Sequence, residues 1–233
     1  MTEVAVGREA PELEVACWFN APQPLTLAGL RGRVVLLHAF QMLCPGCVAH
    51  GTPQAQRAHR MFADTDLQVI GLHTVFEHHA AMTPVSLAAF IHEYGLTFPI
   101  GVDAPVEAIP IPATMGRYGM RGTPTTIIIT RDGAIRYHGF GQEDDMALGA
   151  MIASALAQSS GVTEGNPLVD ARPLRLHMGS VGRNGAPGVR RRWPPRPRAP
   201  DAVRLQSRCG LLAFAGASST KRQKASGNLE DRD

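Results

Sequence analysis

The residues best suited to covalent chemistry are Cys44 and Cys47, in the run Cys44-Pro45-Gly46-Cys47. Arg33-Val34-Val35-Leu36-Leu37-His38-Ala39-Phe40 before them reads as a buried strand, and a helical pattern follows over about 44–63. Pro45 suits the first helical turn, where its missing N–H is not needed. Cys44 is therefore expected at a helix N-terminus. The unpaired N–H groups and positive dipole end there favour a thiolate and draw a thiol pKa from about 8.5 toward neutrality. A thiolate attacks disulfides, and the two-residue spacer puts Cys47 about one turn on, within reach of the mixed disulfide that results. The pattern makes Cys44 the attacking thiol and Cys47 the resolving one. A zinc site is the rival chemistry, with His38, His50, His73, His78 or His79 as further ligands. One Cys-x-x-Cys supplies only half of a tetrahedral set and no second pair is present, so no metal is expected.

These cysteines need a scaffold, and the sequence alternates strand-like with helix-like segments. Strands are expected at 33–40, 67–75, 125–130 and 134–138, the last two joined across Arg131-Asp132-Gly133, a hairpin signal. Helices are expected at about 44–63, at 84–94 after Thr83-Pro84, and at 144–157 with Asp144 and Asp145 in the first turn. The order β-α-β-α then β-β-α implies an α/β domain, a central mixed sheet flanked by helices on both faces.

Strand, Cys-x-x-Cys and helix, followed by Gly122-Thr123-Pro124-Thr125-Thr126 opening a later strand and then Arg131-Asp132-Gly133, resemble the thioredoxin-like fold. The resemblance is to its redoxin branch, the cytochrome-maturation-type thiol-disulfide oxidoreductases and their peroxiredoxin relatives. It covers about residues 7–157, including the Gly7-Arg8-Glu9-Ala10-Pro11 opening. It implies a cis Pro124 facing the cysteines and a Thr123 whose backbone pairs with substrate as an added strand does. It further implies that Glu77, a partly buried carboxyl with a raised pKa, moves the proton of the resolving thiol. The partners implied are a protein or small-molecule disulfide and a dithiol electron donor, with no organic cofactor. Two departures stand out. Leu43 occupies the position before the first Cys where thioredoxins carry Trp, and Pro53 falls one residue later than the family's kink proline.

A peroxiredoxin-like thiol peroxidase is the alternative enzyme. Its Pro-x-x-x-Thr-x-x-Cys loop becomes Leu37 and Gln41 when Cys44 is the peroxidatic residue, or Phe40 and Cys44 when Cys47 is, and both alignments lose the activating hydroxyl. Arg121 remains as a cation. Disulfide exchange is preferred.

Composition divides the chain of 233 residues. Residues 1–159 hold nine Lys+Arg and 14 Asp+Glu, a net of −5, whereas 160–233 hold 14 and six, a net of +8, together the +3 of the whole. The second part has seven Pro and nine Gly and one short apolar patch, Leu211-Leu212-Ala213-Phe214. Such a segment buries too little apolar surface to offset its ordering entropy. The expectation is a redoxin domain over 1–159 and a disordered basic tail over 160–233. A thioredoxin-fold binding module, with that tail on nucleic acid or an anionic surface, is a function of another class. Cys17 reads as a small core residue and Cys209 as an exposed thiol of the tail. No export signal or membrane-length apolar run is visible, so the expected location is cytoplasmic and no membrane partner is expected.

Overall fold

The computed structural model describes residues 6–158. The tail expectation, including Cys209, lies outside the described residues. The elements are β1 (Val15–Phe19), β2 (Val34–Phe40), α1 (Thr52–Met61), β3 (Leu67–His73), α2 (Pro84–Glu93), β4 (Ile100–Asp103), α3 (Ala113–Tyr118), β5 (Thr125–Ile129), β6 (Ile135–Phe140) and α4 (Asp145–Ala157). Six strands form one mixed sheet in the order β1-β4-β3-β2-β5-β6. β3 lies parallel to both β2 and β4, while β1, β5 and β6 run antiparallel to their neighbours.

β2 is central and all seven of its residues are buried, which is why it reads as an unbroken apolar run. Its alternate side chains enter two cores. Leu36 and Phe40 join α1, α2 and α4 on one face through Ala55, Leu87, Ile91, Leu148 and Ile152. Val35, Leu37 and Ala39 meet Trp18, Leu30, Met115 and Tyr118 on the other. The sheet thus carries three helices on one side and α3 with the N-terminal segment on the second. Tyr118 closes that second core by donating its hydroxyl to the Pro11 carbonyl at 2.6 Å.

The expected elements are present, most with trimmed ends and β6 running on to Phe140, and three more appear. β4 is only four residues and includes Gly101, so it offers little propensity. β1 lies at the sheet edge, its register interrupted between Val15 and Cys17. Cys17, expected in the core, is half-buried there and packs against the core's margin. α3 is six residues, ended by Gly119 in the left-handed conformation (φ 63°). Pro112 cannot cap its start with a side chain; the buried Asp103 carboxylate does so from β4, accepting the N–H groups of Thr114 and Met115 at 2.8 and 2.9 Å. Two other helices are capped by neighbours in sequence: Thr83 accepts from the Ser86 N–H, and Asp144, expected inside the first turn, caps α4 by accepting from those of Met146 and Ala147. Among the described residues no helix is long and apolar enough to cross a membrane.

Candidate active site

β2 delivers the chain through Gln41-Met42-Leu43 to Cys44, whose carbonyl accepts the Val48 N–H at 3.0 Å as the helix begins. The first turns are not uniformly α-helical. Cys47–Gly51 are π-wound, the Thr52 N–H reaching back to the Cys47 carbonyl, and only then does α1 continue. A π turn holds one more residue than an α turn. That extra residue accounts for Pro53 standing one position late. Pro53 still falls at the start of α1, where its missing N–H is tolerated.

Cys44 is partly exposed and Cys47 fully buried, and neither is in a disulfide. Their sulfurs are 2.6 Å apart, and the Cys44 sulfur also accepts the Cys47 backbone N–H at 3.2 Å. Burial first, and the hydrogen bond that Cys47 donates to the Cys44 sulfur second, hold the Cys47 thiol well above the usual thiol range. Thr123 comes to the same place from the loop before β5: its carbonyl lies 3.5 Å from the Cys44 sulfur, and the Thr123–Pro124 peptide bond is cis.

The helix can approach this loop because Gly51 has no side chain. A Cβ there would stand 2.6 Å from His38 Cε1 and 3.0 Å from Pro124 Cβ. His38, from β2, fills the space beneath and meets Thr52 Oγ1 at 3.3 Å. Burial lowers its pKa to about 4, leaving a neutral imidazole as a packing group. His73 lies across the Phe40 ring, with its pKa also lowered to about 4 by burial. Among the described residues no three His, Cys, Asp or Glu side chains converge to hold a metal ion.

Glu77 departs from its expected setting. It is exposed in the bend after β3, because the chain has already left the sheet at His73. Its carboxylate meets Gln41 Nε2 at 3.5 Å and hydrogen-bonds neither cysteine. Beside the partly exposed Cys44 lies a cleft of about 390 Å³, lined among others by Gln41, Leu43, Glu77, Thr123 and Phe140. Leu43 and Phe140 are 55% and 49% exposed, large apolar side chains left bare around a reactive sulfur. Arg121 lies over the Phe140 ring, 5.3 Å from its centroid. The sequence reading missed Gln41, Phe140 and Gly51. A polar residue ending an apolar strand, and a glycine within a helix at a cost of about 1 kcal/mol, were the available signals for two of them.

Comparison with known proteins gives the family and the fold. Residues 6–138 match the model of the AhpC/TSA family. Protein DipZ of Mycobacterium tuberculosis is 30% identical over 138 residues, which are 58% of this chain but only 19% of DipZ. The thiol-disulfide oxidoreductase ResA of Bacillus anthracis is 25% identical over 133 residues, 57% of this chain and 68% of ResA. The crystal structure of a thiol-disulfide isomerase from Corynebacterium glutamicum is 51% identical with a TM-score of 0.62, covering 64% of this chain and 98% of that one. That of a thioredoxin-like superfamily protein is also 51% identical, with a TM-score of 0.64 over 67% of this chain and 100% of the other. The chain belongs to the AhpC/TSA family, and its described residues have the thioredoxin-like fold.

Proposed function

We propose that the chain exchanges disulfides through Cys44 and Cys47, reducing a protein or small-molecule disulfide and recovering its electrons from a dithiol donor. The observation that carries this is one open and one closed sulfur 2.6 Å apart. Cys44 attacks a substrate sulfur, forming a mixed disulfide as the first substrate thiolate leaves. Cys47 then gives up its proton and attacks the Cys44 sulfur, releasing the second substrate thiolate and leaving Cys44 and Cys47 bonded. The substrate gains two electrons, and the donor dithiol later restores them to the pair. The raised pKa of Cys47 keeps it a thiol until that second step. Thr123 offers its backbone to a substrate segment, and Pro124 forms the wall opposite the helix. Glu77, exposed and in contact with Gln41, lines the cleft beside Cys44.

Cys47→Ser should accumulate mixed disulfides on Cys44 that non-reducing electrophoresis and mass spectrometry detect, and Cys44→Ser should lose disulfide reduction. Normal exchange by Cys44→Ser would refute the assignment. Dithiol exchange is favoured over peroxidase chemistry because Gln41, not a hydroxyl-bearing residue, stands three positions before Cys44.

A further inference from the structure

Gln41 is 2% exposed and lines the cleft beside Cys44, yet its Oε1 has no hydrogen-bond partner among the described residues. A carboxylate accepts only, so the Glu77 contact takes the amide nitrogen of Gln41 and leaves the oxygen over. A buried carbonyl oxygen without a partner costs about 1–3 kcal/mol. The Gln41–Glu77 contact, at 3.5 Å, is at the long limit of a hydrogen bond and yields easily to a stronger donor. Two acceptors therefore lie together at the cleft: the exposed Glu77 carboxylate and, within the Gln41 side chain, a buried carbonyl that lacks a donor. Arg121, the cation near the opposite lining residue Phe140, is engaged with that residue's ring.

Building on the exchange reading, the geometry points to Gln41 and Glu77 as a subsite for a cationic N–H donor, so that the preferred substrates are disulfides bearing a protonated amine close to the reacting sulfur. The ammonium replaces the long Gln41–Glu77 contact. It gives one N–H to the Glu77 carboxylate and, as the Gln41 amide turns its oxygen into the place of Nε2, another to Gln41 Oε1, while Leu43 and Phe140 cover the methylenes. Charge-assisted bonds of this kind are stronger than the amide contact they displace.

The test labels Cys44 once and needs no turnover, so it stands apart from the exchange reading. Full-length Cys47→Ser is treated with 2-aminoethyl or 2-sulfonatoethyl methanethiosulfonate at pH 8. The Cys44 thiolate attacks the sulfenyl sulfur; an S–S bond forms, the S–SO₂ bond breaks and methanesulfinate leaves. Rates are read by mass spectrometry of the Cys44 peptide and divided by those for 2-mercaptoethanol. Salt at 0.5 M shortens the Debye length to about 4 Å and removes the long-range field of the acidic domain. The cation-to-anion ratio should exceed that of the free thiol about tenfold, as one charge-assisted hydrogen bond supplies. It should fall to within about twofold of the free thiol in Glu77→Gln and in Gln41→Met. A parent ratio equal to that of the free thiol, or a ratio unchanged in Glu77→Gln, overturns the subsite; a fall in Glu77→Gln alone removes Gln41 from it. Labelling that follows this pattern in a chain that reduces no disulfide would sink the exchange reading and leave the subsite standing.

Discussion

Acid should destabilise this protein well above the range in which carboxylates titrate, because two histidines are buried neutral on the face that carries the cysteines. His38 and His73 have pKa values lowered to about 4 by burial, against 6.5 for the free side chain. The unfolded chain takes up these protons first, so the contribution is fully present above about pH 6.5 and is lost as pH falls toward 4. At pH 5 an unfolded imidazole is almost fully protonated and a folded one almost not, which costs about 2 kcal/mol for each histidine, rising to about 3 near pH 4. Together they remove about 4 kcal/mol between pH 7.5 and 5, a large part of an ordinary domain's stability of roughly 5–15 kcal/mol. His59, partly buried on α1, shifts in the same direction and adds to the loss. Urea unfolding followed by far-UV circular dichroism, at both pH values and with the cysteines kept reduced, measures this directly. In His73→Leu the pH-dependent part should shrink by about half, since neither ring nitrogen of His73 has a partner among the described residues. A loss below about 1 kcal/mol in the parent, or the same loss in His73→Leu, would refute the argument.

Other sites give sharper local tests. Gly51→Ala drives a methyl group against His38 and Pro124; overpacking of this kind costs about 1–3 kcal/mol, and calorimetry should show it together with slower disulfide reduction. Asp144→Ala strips the cap that accepts two N–H groups at the start of α4, and should lower stability by about 1 kcal/mol in urea titrations. Tyr118→Phe leaves the Pro11 carbonyl without its buried donor, for a loss of about 1–3 kcal/mol read in the same way. Hydrogen peroxide should be consumed far more slowly than a model disulfide is reduced, which a coupled steady-state assay with the same dithiol donor compares directly.

Legibility in the sequence followed the strength of local signals. β2 and β5 are continuous apolar runs and could be read; β4 and α3 are short, glycine-containing and held by partners distant in sequence. Asp103 shows why. It caps α3 from ten residues away, and no local pattern announces that. At the site, Cys44 and Cys47 announce themselves by spacing, and Thr123 and Pro124 by the strand that follows them. Gln41 and Phe140 do not, because their relevance comes from the cleft they share, and that cleft exists only once β2, the bend after β3 and the end of β6 are brought side by side. The setting of Glu77 could not be read locally: a glutamate just past a buried strand is exposed or covered according to where the strand ends, and β3 ends at His73.

The π-wound turn at Cys47–Gly51 also governs how this chain corresponds to its relatives. Up to Cys47, positions pair with those of an α-wound relative by plain counting. Beyond Gly51 they pair only after one residue is skipped. An ungapped correspondence rotates α1 by about 100°, which would move Ala55 and Ala58 off their core positions and carry Gln54, which donates to Asp145 of α4, off its partner. Roles transferred into this helix from a relative that is α-wound throughout are sound only when the extra residue is placed inside the turn.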